Sequence, residues 1–190
     1  RLLALENTWG GQVLPLPYIE AATALARSRG LATHLDGARL FNAAVASGLP
    51  AREVARHFDS VSVCFSKGLG TPAGSALCGS RALIASAHRW RKMAGGGMRQ
   101  SGVLAAAALH ALDHHVQRLA DDHANARRLA DGLRGLTGVS VTPPQTNIAF
   151  VELVPEKATG AVERLRQRGV LATGLYRLRL VTHLDVSAGD

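Results

Sequence analysis

SVSVCFSKGLGTPAGSALCGS, residues 60–80, decides the fold. Its first seven residues are β-branched, small or apolar on both faces, as suits a strand buried inside a parallel sheet. A glycine-rich turn follows, and SALCGS (75–80) reads as the next strand. Between strand and turn stands Lys67. The chain holds 22 lysines and arginines, and only Lys67, Lys92 and Lys157 are lysines. Where charge alone matters, this composition supplies arginine. A lysine in dry surroundings can lose its proton and act as a nucleophile, which an arginine cannot. Lys67 is therefore either an ordinary charge at a strand end or a Schiff-base lysine.

Working outward, LATHLDG (31–37) reads as a second strand and LLALE (2–6) as a third. LPYIEAATALARSRG (16–30) is punctuated as a helix, with Pro17 near its start and Gly30 at its end. ARLFNAAVASG (38–48) and AREVARHF (51–58) are amphipathic helices, and RALIASAHRWRKM (81–93) is another. Strands alternating with helices argue for an α/β domain with a mostly parallel sheet. Residues 101–136 form a long helical stretch, bent or broken near 113–116. Beyond it, VSVT (139–142), NIAFVEL (147–153), VLATG (170–174) and LRLVTH (178–183) read as strands, with ATGAVERLRQRG (158–169) a helix among them. This divides the chain into 1–112, part of a large domain, and 113–190, a small α+β domain.

Composition narrows the function classes. Hydrophobic residues make up 47% and charged ones 19%, a globular balance. The net charge of +8 suits an acidic partner. The basic residues are scattered singly or in pairs with few aromatics among them, which argues against nucleic acid. No apolar run approaches the roughly 20 residues that span a bilayer. Cys64 and Cys78, with no CxxC, read as reduced core thiols of a cytoplasmic protein rather than a disulfide or zinc framework. The arginine- and alanine-rich bias suits a GC-rich bacterial genome. The absence of an initial Met and the close at THLDVSAGD give the expectation that the chain is the C-terminal part of a longer protein, itself slightly shortened.

Open α/β sheets collect ligands outside the carboxyl ends of their strands. Asp36 ends one strand here and Lys67 follows another. A carboxylate and a lysine on one edge match the needs of pyridoxal phosphate: the lysine captures the aldehyde, and the carboxylate keeps the pyridine nitrogen protonated. The plain alternative is a surface aspartate and a salt-bridged lysine. GLGTPAG (68–74) leads to a strand, not a helix, so it is no dinucleotide fingerprint; its glycines let the backbone pass close to a bulky cofactor. In MAGGGMRQ (93–100), glycine amides and Arg99 suit a phosphate, although a helix breaker would look the same. Arg177 and Arg179 project from one face of a strand, where either can hold a carboxylate or stand as a solvated charge. His34 shares a strand face with Asp36, either beside a ligand or packed in the core. His110 and His114 share a helix face, read as solvated polarity rather than a metal pair.

Taken together, ENT (6–8), HLDGARLFNA (34–43), SVCFSKGLGTPAGSALCGS (62–80), RWRKMAGGGMRQSGVLAAA (89–107), TN (146–147) and RLVTHLDVS (179–187) resemble the low-specificity L-threonine aldolases. These are fold-type I pyridoxal-phosphate lyases. The resemblance runs in order across essentially the whole chain. It implies that Lys67 is the Schiff-base lysine and Asp36 the pyridinium partner. It implies that Arg39 and Arg179 bind the substrate carboxylate and that Arg99 reaches the cofactor phosphate of a neighbouring subunit. Ser66 is a lesser candidate for a phosphate or ring contact. The expected enzyme is a cytoplasmic homodimer or homotetramer with shared active sites. It would cleave L-threonine or L-allo-threonine, a small amino-acid substrate, to glycine and acetaldehyde. The alternative readings are another fold-type I enzyme, such as a serine hydroxymethyltransferase, or a non-catalytic incomplete domain. The family's histidine after ENT is replaced by Trp9-Gly10-Gly11. The family's phosphate loop, ring-stacking residue and carboxylate-binding serine lie in an N-terminal half outside these residues, so the chain alone is expected to be inactive.

Overall fold

The computed structural model describes residues 1–190. Strand β1 (Leu2–Glu6) leads to helix α1 (Leu16–Ser28), then β2 (Ala32–Gly37), α2 (Leu40–Ser47), α3 (Ala51–Ala55), β3 (Ser60–Cys64) and β4 (Ser75–Gly79). These four strands form one sheet in the order β1-β2-β3-β4. β1, β2 and β3 run parallel, and β4 is antiparallel to β3. The reversal follows from the connection. Residues 65–74 form a turn closed by the Phe65 N–H to the Gly74 carbonyl at 3.0 Å, whereas a parallel return needs a crossover of a dozen residues or more.

Alternation along the strands sorts the sheet's faces. Leu35, Val61 and Val63 point one way, onto Ile19, Leu40, Val54 and Phe58 of the covering helical layer. Glu6, Asp36 and Ser62 are register partners on the other face, with His34 and Cys64 two residues along their strands. The β2–β3 register is clasped at its start by Asp59, whose carboxylate accepts the Thr33 N–H at 2.8 Å and the Thr33 hydroxyl at 3.0 Å. Those bonds hold the Asp59 pKa below the ordinary carboxylate range.

Helix α4 (Arg81–Met93) starts where Ser80 Oγ accepts the Leu83 N–H at 3.2 Å, the side-chain cap a helix start favours. The helical stretch after it divides into α5 (Gly102–His114) and α6 (Leu119–Leu133). Leu69, Ala111 and Leu119 form a second buried cluster with Phe41 and Val45, joining α2, the 65–74 turn, α5 and α6. Then come β5 (Val139–Thr142), β6 (Ile148–Leu153), α7 (Pro155–Ala158), α8 (Ala161–Arg166) and β7 (Arg177–Val181). The second sheet, β5-β6-β7, is antiparallel throughout. Helix α6 packs on β5, β6 and α2 and so bridges the two sheets.

Three local expectations are revised. The helix expected over 158–169 breaks at Gly160, which adopts φ +68 between α7 and α8. The strand expected over 170–174 does not form; only Thr173 bridges to Arg179. Gly174 explains this: at φ +122 its backbone turns so tightly that an added Cβ would lie 2.1 Å from the Arg177 carbonyl oxygen. Of the two thiols, Cys64 is half-buried and Cys78 exposed, so Cys78 is not a core residue.

Candidate active site

Because β2 and β3 are parallel, Asp36 and the Lys67 turn leave the sheet at the same edge. The Asp36 carboxylate is exposed and accepts the Ala38 N–H at 3.0 Å, with no cation in ion-pair contact. Lys67 opens a tight turn in which its carbonyl accepts the Gly70 N–H at 2.9 Å. Its amine is exposed and free of side-chain partners. Of the other lysines, Lys157 donates to the Thr137 carbonyl, and Lys92 lies at the end of α4 with its Nζ over the glycine turn, 2.8 Å from where a Gly97 Cβ would stand. Ser66, beside Lys67, is exposed with its hydroxyl 3.4 Å from Cys64 Sγ.

Arg39, the residue before α2, is half-buried, and its Nε is buried without a hydrogen-bond partner. Burial, then the charge of Arg179, pull its pKa below the ordinary arginine value; Glu6, Cys64 and Asp36 act the other way. The two arginines named from the sequence thus come from the start of α2 and from β7 of the second sheet, and share one electrostatic neighbourhood with Asp36. Arg177 is engaged elsewhere. Its guanidinium carbon lies 4.0 Å from the Phe150 ring centroid and its Nε 3.6 Å from Glu152. Arg179, two residues along β7, has no such commitment. An orphaned buried donor beside a second guanidinium is a site for an anion: a carboxylate would satisfy Nε and relieve the repulsion between like charges.

This donor set fits pyridoxal phosphate with an amino-acid substrate. A free amine and a free carboxylate stand at the ends of adjacent parallel strands, and a paired cationic site lies beside the carboxylate. A cleft of about 420 Å³, walled by Ala4, Leu5, Glu6, Trp9, Leu14, Tyr18 and Asp36, opens on the Asp36 side. Lys67 does not line it, and Arg99, exposed in the turn between α4 and α5, forms no ion pair with the group. Glu6 was not singled out from the sequence; its only signal was its place in ENT, and its strand register puts it beside Asp36.

Gly68 packs closely on α6 and α2, where an added Cβ would meet Leu119 Cδ2 at 2.8 Å and Asn42 Oδ1 at 3.3 Å. His34 is half-buried and its Nδ1 lies 2.8 Å from Ser60 Oγ. The His110 and His114 rings lie 4.5 Å apart between centroids, tilted 50° to one another, while His115 Nδ1 lies 2.7 Å from the Leu69 carbonyl and ties α5 to the lysine turn. No helix is long and apolar enough to cross a membrane.

A family model of beta-eliminating lyases matches residues 1–156. The low-specificity L-threonine aldolase of Escherichia coli K12 is 51% identical over 187 residues, covering 98% of this chain and 56% of that protein. Low-specificity L-threonine aldolase 1 of Arabidopsis thaliana is 42% identical over 201 residues, covering all of this chain and 56% of that protein. The chain therefore spans little more than half the length of these relatives. The solved threonine aldolase of Leishmania major superposes with a TM-score of 0.80 at 21% identity, over all of this chain and 57% of that one, a likeness of fold.

Proposed function

The chain belongs to the beta-eliminating lyase family, whose members use pyridoxal phosphate, and from that premise we propose that the protein carrying it cleaves L-threonine or L-allo-threonine to glycine and acetaldehyde. The carrying observation is the unpartnered buried Nε of Arg39 with Arg179 beside it, next to the free carboxylate of Asp36.

When bound, pyridoxal phosphate supplies an aldehyde for the amino group and a protonated ring that accepts the electron pair of the breaking bond. Lys67, with its free amine, would be the residue that holds the cofactor's aldehyde. Asp36 would accept the pyridine N–H and so favour the protonated ring. Arg39 and Arg179 hold the substrate carboxylate, each donating charge-assisted bonds, so the Cα–Cβ bond is fixed relative to Asp36 and Lys67. Ser66 supplies a hydroxyl at the lysine turn for the phosphate or ring. The reaction removes the β-hydroxyl proton, releases acetaldehyde and returns a proton to Cα.

The proposal extends to assembly. Arg99 reaches the phosphate of a neighbouring subunit in a homodimer or homotetramer, in the cytoplasm of a bacterium. Exposed Trp90, Met93 and Met98 flank the Arg99 turn and give that surface the apolar character of an interface. A division into two parts belongs to the same reading and is supported by the two separate sheets, although α5 runs through the expected 112/113 boundary to His114. The test is product analysis of the whole protein supplied with pyridoxal phosphate and either threonine diastereomer. Acetaldehyde and glycine in equal amounts are expected. A keto acid and ammonia in their place would overturn the aldolase reading.

A further inference from the structure

Helix α6 carries a polar group where apolar packing alone would serve. Asn42, on α2, is 3% exposed. Its amide nitrogen lies 3.1 Å from His123 Nε2 on α6 and donates to Asn147 Oδ1, just before β6, at 3.4 Å. Asn147 Nδ2 in turn donates to the Thr182 carbonyl at 2.9 Å, and Thr182 Oγ1 donates to the Asp122 carbonyl at 2.6 Å. All five side chains are buried. The oxygen of the Asn42 amide faces Gly68, 3.3 Å from where a Cβ would stand.

The placement of this cluster is its argument. Asn42 is one helical turn from Arg39, Gly68 is bonded to Lys67, and Thr182 follows β7, which carries Arg179. The three residues proposed to hold aldehyde and carboxylate come from a helix start, a turn and a strand of the other sheet. Apolar contacts such as Leu119 on the turn hold these elements close but permit sliding. Directional bonds among buried groups fix one arrangement, and each is costly to leave unmade. We infer that Asn42 is a positioning residue: its amide nitrogen, held by His123 and Asn147, fixes α2 and its Arg39 against the segment that follows Arg179, and its oxygen packs against Gly68 beside Lys67. The bond to His123 needs the ring neutral with Nε2 accepting, and burial pushes the His123 pKa down to about 4, so the link persists at neutral pH.

This inference rests on pyridoxal phosphate binding at Lys67. The test uses the whole protein loaded with pyridoxal phosphate and three readouts: melting temperature, the rate at which borohydride fixes the cofactor on the Lys67 peptide, and the affinity for glycine followed by cofactor absorbance. Asn42→Leu keeps the volume and deletes the amide. His123→Leu removes the acceptor, and His123→Gln keeps one. Phe58→Leu, in the core beneath the first sheet, lowers stability without touching the cluster. Tenfold or greater losses in fixation rate and glycine affinity are expected for Asn42→Leu and His123→Leu, with His123→Gln within threefold of wild type and Phe58→Leu unchanged. If Asn42→Leu does not fold, Asn42→Leu/His123→Leu removes the buried ring that Asn42 would leave unpaired, keeps only Asn147 Oδ1 without its donor, and carries the same readouts. Unaltered fixation and glycine binding in the folded variants, or equal losses in Phe58→Leu, overturn the positioning role while the site reading stands. Failure of wild type to fix the cofactor on Lys67 overturns both.

Discussion

Acid should unlock the protein through His123. The residue is 3% exposed, and burial, then the charge of Arg127, lower its pKa from 6.5 to about 4. The unfolded chain therefore takes up a proton first as pH falls. The stability tied to keeping the ring neutral is complete above pH 6.5 and drains away between 6.5 and 4. At pH 5 the two values correspond to a loss of about 2 kcal/mol relative to pH 7.5. With a urea dependence of about 2 kcal/mol per molar, the unfolding midpoint drops by about 1 M from this residue alone. His123→Gln keeps an amide oxygen that can accept from Asn42 but does not titrate. Urea unfolding of both proteins at pH 7.5 and pH 5 isolates the term, because all other groups titrate alike. The wild type should lose about 2 kcal/mol more than the variant. Equal losses in the two proteins would show that His123 is not held neutral by its surroundings.

Other consequences are independent of that one. Asp36→Asn keeps the shape but loses the charge that holds the pyridine proton, so kcat should fall far more than cofactor retention; near-wild-type turnover would place the nitrogen's partner elsewhere. Arg179→Ala should lower kcat/KM roughly 10- to 150-fold, mainly through KM, from charge-assisted bonds of about 1.5–3 kcal/mol. Arg177→Ala should stay within about threefold because that side chain is spent on Phe150 and Glu152; the reverse pattern would exchange their roles. Gly68→Ala should destabilise by about 1–3 kcal/mol through overpacking on Leu119, and an unchanged melting temperature would refute the close approach.

What could be read from the sequence was what local chemistry specifies. Helix α4 falls at its expected bounds, 81–93, because Ser80 caps it and an amphipathic run fills it. The parallel pairing of β2 with β3 follows from buried strands joined through helices, and it carries Asp36 and Lys67 to one edge. The misreadings come from backbone states that composition does not reveal. ATGAVERLRQRG has helical periodicity, yet Gly160 takes the left-handed conformation and splits it. VLATG has strand composition, yet the tight approach of Gly174 to Arg177 leaves only one bridge. The Asn42 cluster was invisible for another reason. Its partners are 81 and 105 residues away in sequence, and no local pattern marks a buried amide that meets a histidine from another helix. Strand alternation alone left Arg177 and Arg179 equivalent; the resemblance favoured Arg179, and the ring and carboxylate that engage Arg177 give a physical reason for that choice.

The central claim is that Lys67 holds the cofactor, and borohydride reduction of the whole protein loaded with pyridoxal phosphate tests it most directly. Hydride converts the carbon–nitrogen bond between cofactor and lysine into a stable secondary amine, so peptide mapping reads the attachment point. The account predicts the label on the peptide containing Lys67 alone. A label on Lys92, at the end of α4, or on Lys157, already bonded to the Thr137 carbonyl, would contradict it.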